Sequence, residues 1–207
     1  MIKCFIVERV IFLKKLLITG FEPFGGESVN PSWEAVRLLP DTIGDYEVVK
    51  LCVPTVFGKA GETVLSFAER ILPDAVICVG QAAGRSAITP ELVAINLRYA
   101  SIPDNDGEKP EDVPVVPSGP DAIFSTLPVR AMAKAVSDAG IRSAVSYSAG
   151  TFVCNDLLYS VLYHYRKTSV RASFIHVPLI PEQAKGERPS LPLSDIVKGL
   201  EAAISAI

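Results

Sequence analysis

Short runs rich in branched apolar residues recur along the chain, and stretches with helical spacing separate most of them. The runs are "KLLITG" (15–20), "YEVVKLCVP" (46–54), "DAVICVG" (74–80), "SAVSYS" (143–148) and "ASFIHVPLI" (172–180). Continuous apolar strands of this kind are buried on both faces, which demands a parallel or mixed sheet with helices above and below it. The helical stretches are "NPSWEAVRLL" (30–39), "GKAGETVLSFAERIL" (58–72), "VRAMAKAVSDAG" (129–140), "NDLLYSVLYHYR" (155–166) and "LSDIVKGLEAAISAI" (193–207). Asn30 is placed to cap the first of them, with Pro31 in its first turn. The alternation predicts an α/β fold, a three-layer α/β/α single domain around a mostly parallel (mixed) central sheet. Residues 88–97 read as extended, and "SIPDNDGEKPEDVPVVPSGPD" (101–121) as a long irregular loop.

With 207 residues, 49% of them hydrophobic, the chain can bury a core without disulfide or metal staples. The domain is read as 14–207. The segment before it, "MIKCFIVERVIFL" (1–13), is read as an N-terminal extension, because Glu8 and Arg9 interrupt the apolar core that a secretory signal needs. A net charge of −3 without any basic block speaks against nucleic acid or an anionic membrane as partner. No apolar run reaches membrane-spanning length. Cys4, Cys52, Cys78 and Cys154 form no CxxC pair and have no close histidine, so no metal site is expected and a reduced, cytoplasmic setting is the plain reading.

In sheets of this class the reactive crevice lies beyond the carboxyl ends of the strands. Three notable loops follow expected strands there: "TGFEPFGG", "VGQAAGRS" and "SAGTFVC". The glycine-rich pair matches neither dinucleotide nor P-loop spacing, so no nucleotide cofactor is expected; Phe21 and Phe24 suit the wall of a pocket for a flat apolar ring. Cys52 and Cys78 lie in strand patterns as small buried hydrophobes. Cys154 differs, because a turn of small residues delivers it to a helix N-terminus. Unpaired amides and the helix dipole favour a thiolate there and can cradle an oxyanion.

A nucleophilic cysteine needs a base, and the chain has two histidines. His164 lies ten residues along the same expected helix, roughly 15 Å away at about 1.5 Å per residue. His176 ends a separate strand, and elimination makes it the base. Glu22, Glu91 and Glu182 all stand near strand ends or loops as groups that could orient it, and the residues alone do not choose between them.

The motifs "TGFEPFGG", "GRSAITPELVAIN", "IPDNDG", "FSTLP", "SAGTFVCN" and "HVPLIPEQ" resemble, in order and spacing, those of the pyrrolidone-carboxylate peptidases (pyroglutamyl peptidase type I). The likeness runs from about Lys15 to the C-terminal helix. It implies a cytoplasmic cysteine exopeptidase, a homotetramer, that removes N-terminal pyroglutamate from peptides without a cofactor. Motif by motif, it implies Cys154 as nucleophile, His176 as base and Glu91 as the orienting acid. It further implies a pocket of Phe21, Phe24, Asn30, Gln81, Phe152 and Val153, with Arg85 as an active-site cation. Ser101 stands where the family often has an arginine, and Arg98 and Arg85 are the candidates to replace it.

The residue types suit that chemistry. Pyroglutamate is a neutral lactam, so flat apolar walls and amide groups such as that of Gln81 can hold it, while a charged, unringed N-terminus would leave those polar groups unpaired. The alternatives are a non-catalytic binding protein for a small cyclic ligand, and a redox-sensing cysteine protein. One hypothesis concerns the extension: the apolar, charge-broken segment 1–13 points to a natural start near Leu13 or Lys14. Intact mass of the protein from its own host is expected to show a chain lacking that segment, and a species beginning at Met1 rejects the hypothesis.

Overall fold

A computed structural model describes residues 13–207; the expected extension therefore lies almost wholly outside the described residues. Strand β1 (Lys14–Phe21) is the first element described, followed by helix α1 (Pro31–Leu38), a short β2 (Thr42–Ile43), β3 (Tyr46–Val53), α2 (Lys59–Ile71) and β4 (Ala75–Gln81). Then come three short strands, β5 (Thr89–Glu91), β6 (Val93–Ile95) and β7 (Ala122–Phe124). Helices α3 (Val129–Asp138) and α4 (Val153–Tyr165), β8 (Arg171–Val177), a 3-10 turn (Pro181–Gln183) and α5 (Leu193–Ile204) complete the chain.

The main sheet runs β2-β3-β1-β4-β8-β5. Its four central strands are parallel, and both edge strands are antiparallel to their neighbours. Alternate residues of each strand feed opposite layers. Leu16, Ile18, Ile77, Val79, Ile175 and Val177 pack under α1, α3 and α5, whereas Leu17, Val76, Cys78, Ala172 and Phe174 pack under α2 and α4. This is the three-layer α/β/α arrangement that the apolar runs predict.

Asn30 caps α1 as expected: its Oδ1 accepts from the Ser32 amide at 3.1 Å and from Ser32 Oγ at 2.8 Å. Its Nδ2 donates to the Glu22 carbonyl, which ties the β1–α1 turn to the helix. Helix α1 approaches β1 closely enough that only glycine fits at position 20.

Two expectations need correction. "SAVSYS" forms no continuous strand; it touches β5 through two isolated parallel bridges, Ile88↔Ser143 and Glu91↔Ser146. The Ile88 amide donates to Arg142 and the Leu92 amide to Ser146, while Ala144 and Ser146 donate back to Ile88 and Pro90. The rung that would join the two bridges requires an N–H at position 90, and Pro90 has none. Cys52 is exposed rather than buried. It pairs in register with Gly20, and α1 packs over Gly20, so the neighbouring strand's cysteine is left uncovered.

A methyl group at Gly20 would sit 2.5 Å from Trp33 Cα and 2.6 Å from Trp33 N, both backbone atoms that cannot swing aside. We expect Gly20→Ala to cost about 3 kcal/mol, at the upper end for overpacking. Urea denaturation measures it, and an unchanged midpoint would show that α1 can move.

Candidate active site

The site assembles where β4 and β8 end. Gly80 pairs with His176 in the parallel β4–β8 ladder, so both residues face the layer that contains α4. Gly80 has no side chain, and the Cys154 sulfur occupies the space: a Cβ built there would stand only 2.9 Å from Sγ. The thiol thus rests over bare backbone on the strand beside His176. Phe174, two residues earlier on β8, lies under the imidazole with ring centroids 4.8 Å apart.

Cys154 is the second residue of α4, which begins two residues earlier than its sequence pattern suggests. Phe152 takes the N-cap position without a side-chain capping bond. The Asn155 and Asp156 amides donate to the Phe152 carbonyl, whereas the Val153 and Cys154 amides have no backbone acceptor among the described residues. Two donors at the positive end of the helix therefore remain available beside the sulfur.

Glu91 reaches the site from β5, which runs antiparallel along β8 with Thr89 opposite His176. Its carboxylate is fully buried. Oε1 lies 2.6 Å from His176 Nδ1 and accepts a second bond from Arg85 Nη1 at 2.7 Å. Arg85 also donates to Thr89 Oγ1 at 2.5 Å and to the Ser148 carbonyl at 3.1 Å, joining the β4 loop to the loop before α4. With Nδ1–H directed at Glu91, the imidazole presents its Nε2 lone pair elsewhere.

A cavity of about 370 Å³ opens over these groups. Cys154, His176 and Arg85 line it, as do Phe21, Phe24, Asn30, Gln81 and Phe152. Phe24 and Phe152 stand 6.1 Å apart between centroids, tilted by 38°. Val153 does not line the cavity. Its side chain is fully buried in the α2/α4 layer, because the first helical turn directs it inward, so only its main chain is available to the site. Glu91 lies behind His176 rather than at the cavity surface. His164 lines a separate cavity on the outer side of α2 and α4. Arg98 is committed to Asp156, 2.6 Å away under α4, and Ser101 is exposed, so of the two arginines weighed against Ser101 the one in this site is Arg85.

The sequence reading did not find Thr55, Ala82, Ala83, Ser148, Ala149 and Gly150, which complete the lining. Each follows a strand end or precedes α4, so their position relative to the strands was the available signal.

Burial shapes the titration of the pair. It pushes the Cys154 thiol up to about 12, helped by the Glu91 charge and opposed by Arg85. Burial and the Glu91 charge thus act against the thiolate that the helix terminus was expected to favour, while Arg85 acts for it. Burial also holds His176 below the usual histidine value, against the raising effect of the Glu91 hydrogen bond and charge. Burial alone would raise Glu91, but bonding to His176 and the nearby Arg85 bring it below the ordinary carboxylate value. Burial thus favours the neutral thiol and the neutral imidazole, and His176 and Arg85 favour the Glu91 carboxylate. No hydrogen bond joins Cys154 Sγ to His176, so the two face one cavity without being engaged, as reacting groups often do before substrate tightens them.

The same chain can be compared with known proteins. The family model described as pyroglutamyl peptidase matches residues 14–207. A pyrrolidone-carboxylate peptidase of Clostridium perfringens is 51% identical over 197 residues, covering 93% of this chain and 92% of that protein. One from Bacillus thuringiensis is 48% identical over the same length. The crystal structure of pyroglutamyl peptidase I from Bacillus amyloliquefaciens superposes with a TM-score of 0.90 at 47% identity, covering 93% of this chain and 96% of that one. The pyrrolidone carboxyl peptidase of Thermococcus litoralis gives 0.90 at 38% identity, covering 94% and 93%.

Glu91→Gln removes the charge that raises His176, leaves at most a neutral acceptor for Nδ1–H, and keeps Arg85, which lowers it. A base works only when deprotonated, so a further-depressed imidazole stays competent at lower pH. We expect the acid limb of kcat/KM to move to lower pH while the rate at the optimum falls by about 10²-fold. A pH–rate profile checks this, and a limb displaced to higher pH contradicts the assignment of Glu91 as the group that raises His176.

Proposed function

We infer that this chain, which belongs to the pyroglutamyl peptidase family, removes N-terminal pyroglutamate from peptides by thiol catalysis. The observation that carries the reading is the placement of Cys154 over Gly80, beside the Glu91-bound imidazole, in an aromatic-walled cavity. No aspartate or glutamate lines that cavity among the described residues, which suits a neutral lactam and offers no anchor for a free ammonium. Phe21, Phe24 and Phe152 would flank the ring, and the Gln81 amide would pair with its polar edge.

In the mechanism we propose, Cys154 Sγ attacks the pyroglutamyl carbonyl as its proton passes to His176 Nε2. The carbonyl oxygen takes up the negative charge, and the Cys154 and Val153 amides, with Arg85 nearby, stabilise it; losing one such donor typically costs about 3–4 kcal/mol. Collapse of the adduct breaks the C–N bond, and His176 returns its proton to the departing amine. A thioester remains on Cys154. Water then gives a proton to His176 and adds to the thioester; the C–S bond breaks, free pyroglutamate leaves, and His176 returns the proton to the sulfur. Glu91 holds the Nδ1–H tautomer and balances the imidazolium formed in each half-reaction.

We read the working unit as residues 14–207 and the enzyme as a cytoplasmic homotetramer. The family resemblance supports the assembly, and the free thiols of Cys52, Cys78 and Cys154 suit a reducing compartment. Among the described residues no helix is long and apolar enough to cross a membrane.

Hydrolysis of a fluorogenic pyroglutamyl amide tests the reading. We expect Cys154→Ala to abolish turnover and His176→Ala to lower kcat by roughly 10²–10⁴-fold. His164→Ala, remote from the cavity, should stay within about twofold of wild type. Full turnover by Cys154→Ala would leave the pocket as a binding site and remove the cysteine as nucleophile.

A further inference from the structure

Asn155 follows the nucleophile directly and is fully buried, yet it touches neither the cavity nor the reacting groups. Its side chain makes three bonds to one stretch of backbone. Oδ1 accepts from the Ile95 amide at 3.0 Å, and Nδ2 donates to the carbonyls of Ile95 at 2.9 Å and Leu97 at 3.0 Å. Every polar atom of the amide is used, so the contact has a single geometry and a single register.

The stretch it grips continues from the strand that bears the acid. Ile95 ends β6, and only Leu92 separates β6 from Glu91 at the end of β5. That junction is itself pinned. The Leu92 amide donates to Ser146, the Ser125 amide to the Leu92 carbonyl, and Ser125 Oγ to the Glu91 carbonyl at 2.6 Å. Next to Asn155, Asp156 accepts from the Gly58 amide at 2.7 Å and from Arg98, the residue that follows Leu97 in the gripped stretch. From Cys154 to Glu91, then, a direct path runs through the Asn155 amide and a short segment held by these bonds, beside the Arg98–Asp156 and Arg85–Ser148 links.

We propose that Asn155 is a positioning residue for the thiol chemistry: its amide, clamped onto Ile95 and Leu97, sets where Cys154 stands relative to the Glu91–His176 pair. The inference rests on the reading of Cys154, His176 and Glu91 given above. An ordinary helix-end residue would need one bond to the backbone for stability. Three bonds to the continuation of the acid's own strand fix a spacing between the nucleophile and its base. A misplacement near 1 Å costs about 10²-fold in rate, so the clamp acts on kcat while the ring-binding walls are left in place.

Asn155→Asp tests this, because it keeps the shape and the bond from Ile95 but cannot donate to the two carbonyls. Asn155→Ser and Asn155→Ala remove more of the clamp. Each is compared with wild type, at a temperature where near-UV circular dichroism shows the native fold, by hydrolysis of a fluorogenic pyroglutamyl amide. The pH dependence of Cys154 alkylation by iodoacetamide is followed in parallel, on a Cys52→Ser background that removes the exposed thiol. The expected result is a kcat lower by about 10²-fold with KM within about threefold, and an altered pH profile of alkylation. A residue needed only for stability would lower the melting temperature and leave both readouts as in wild type, and that result overturns the proposal, as does loss of the native fold in all three variants. If wild type hydrolyses no pyroglutamyl amide, the functional reading itself fails, and the alkylation profiles still decide whether Asn155 places the sulfur.

Discussion

One buried negative charge organises this molecule. The Glu91 carboxylate has no exposure to water, and a lone ionised group in that position would be strongly unfavourable. It is tolerated because Arg85 and His176 both meet the same oxygen, from the loop after β4 and from β8. The three groups come together only if β4, β8 and β5 lie side by side in that order. Breaking any member leaves the others uncompensated, so the charge enforces the local topology as well as the chemistry.

Around that charge the fold keeps the groups proposed to react on separate rigid supports. His176 is carried by a central parallel strand, Glu91 by an antiparallel edge strand, and Cys154 by the first turn of a helix packed across the sheet. Gly80 lets the helix bring the sulfur down to the sheet, and no other residue would leave room for it. Supports of this kind hold geometry better than loops do, which suits a site where small displacements are costly in rate. The loops instead complete the walls of the cavity, where tolerance is greater.

Much of this was legible in the sequence because each long element declares itself locally. Strands buried on both faces read as unbroken apolar runs, and the helices carry periodic faces, so the layers and the location of the crevice followed. Cys154 and His176 could be singled out by type and by helical arithmetic. Glu91 could not. Glu22 is spent on the Thr55 amide and Asn105, and Glu182 is exposed in the 3-10 turn, but nothing local to any of the three reveals this. What selects Glu91 is a three-residue strand folding back along β8, a non-local pairing without a periodic signal. The segment 143–148 misled for a similar reason: its apolar pattern is that of a strand, and the missing donor belongs to Pro90, more than fifty residues away. Cys52 looks like a core residue until the placement of α1 is known.

The burial that pushes the Cys154 thiol up has a consequence for life between substrates. Peroxides, disulfides and alkylating metabolites attack thiolates far faster than thiols. The more that burial favours the protonated sulfur, the poorer a target it offers to all of them. That is the opposite of the design wanted in an oxidant sensor.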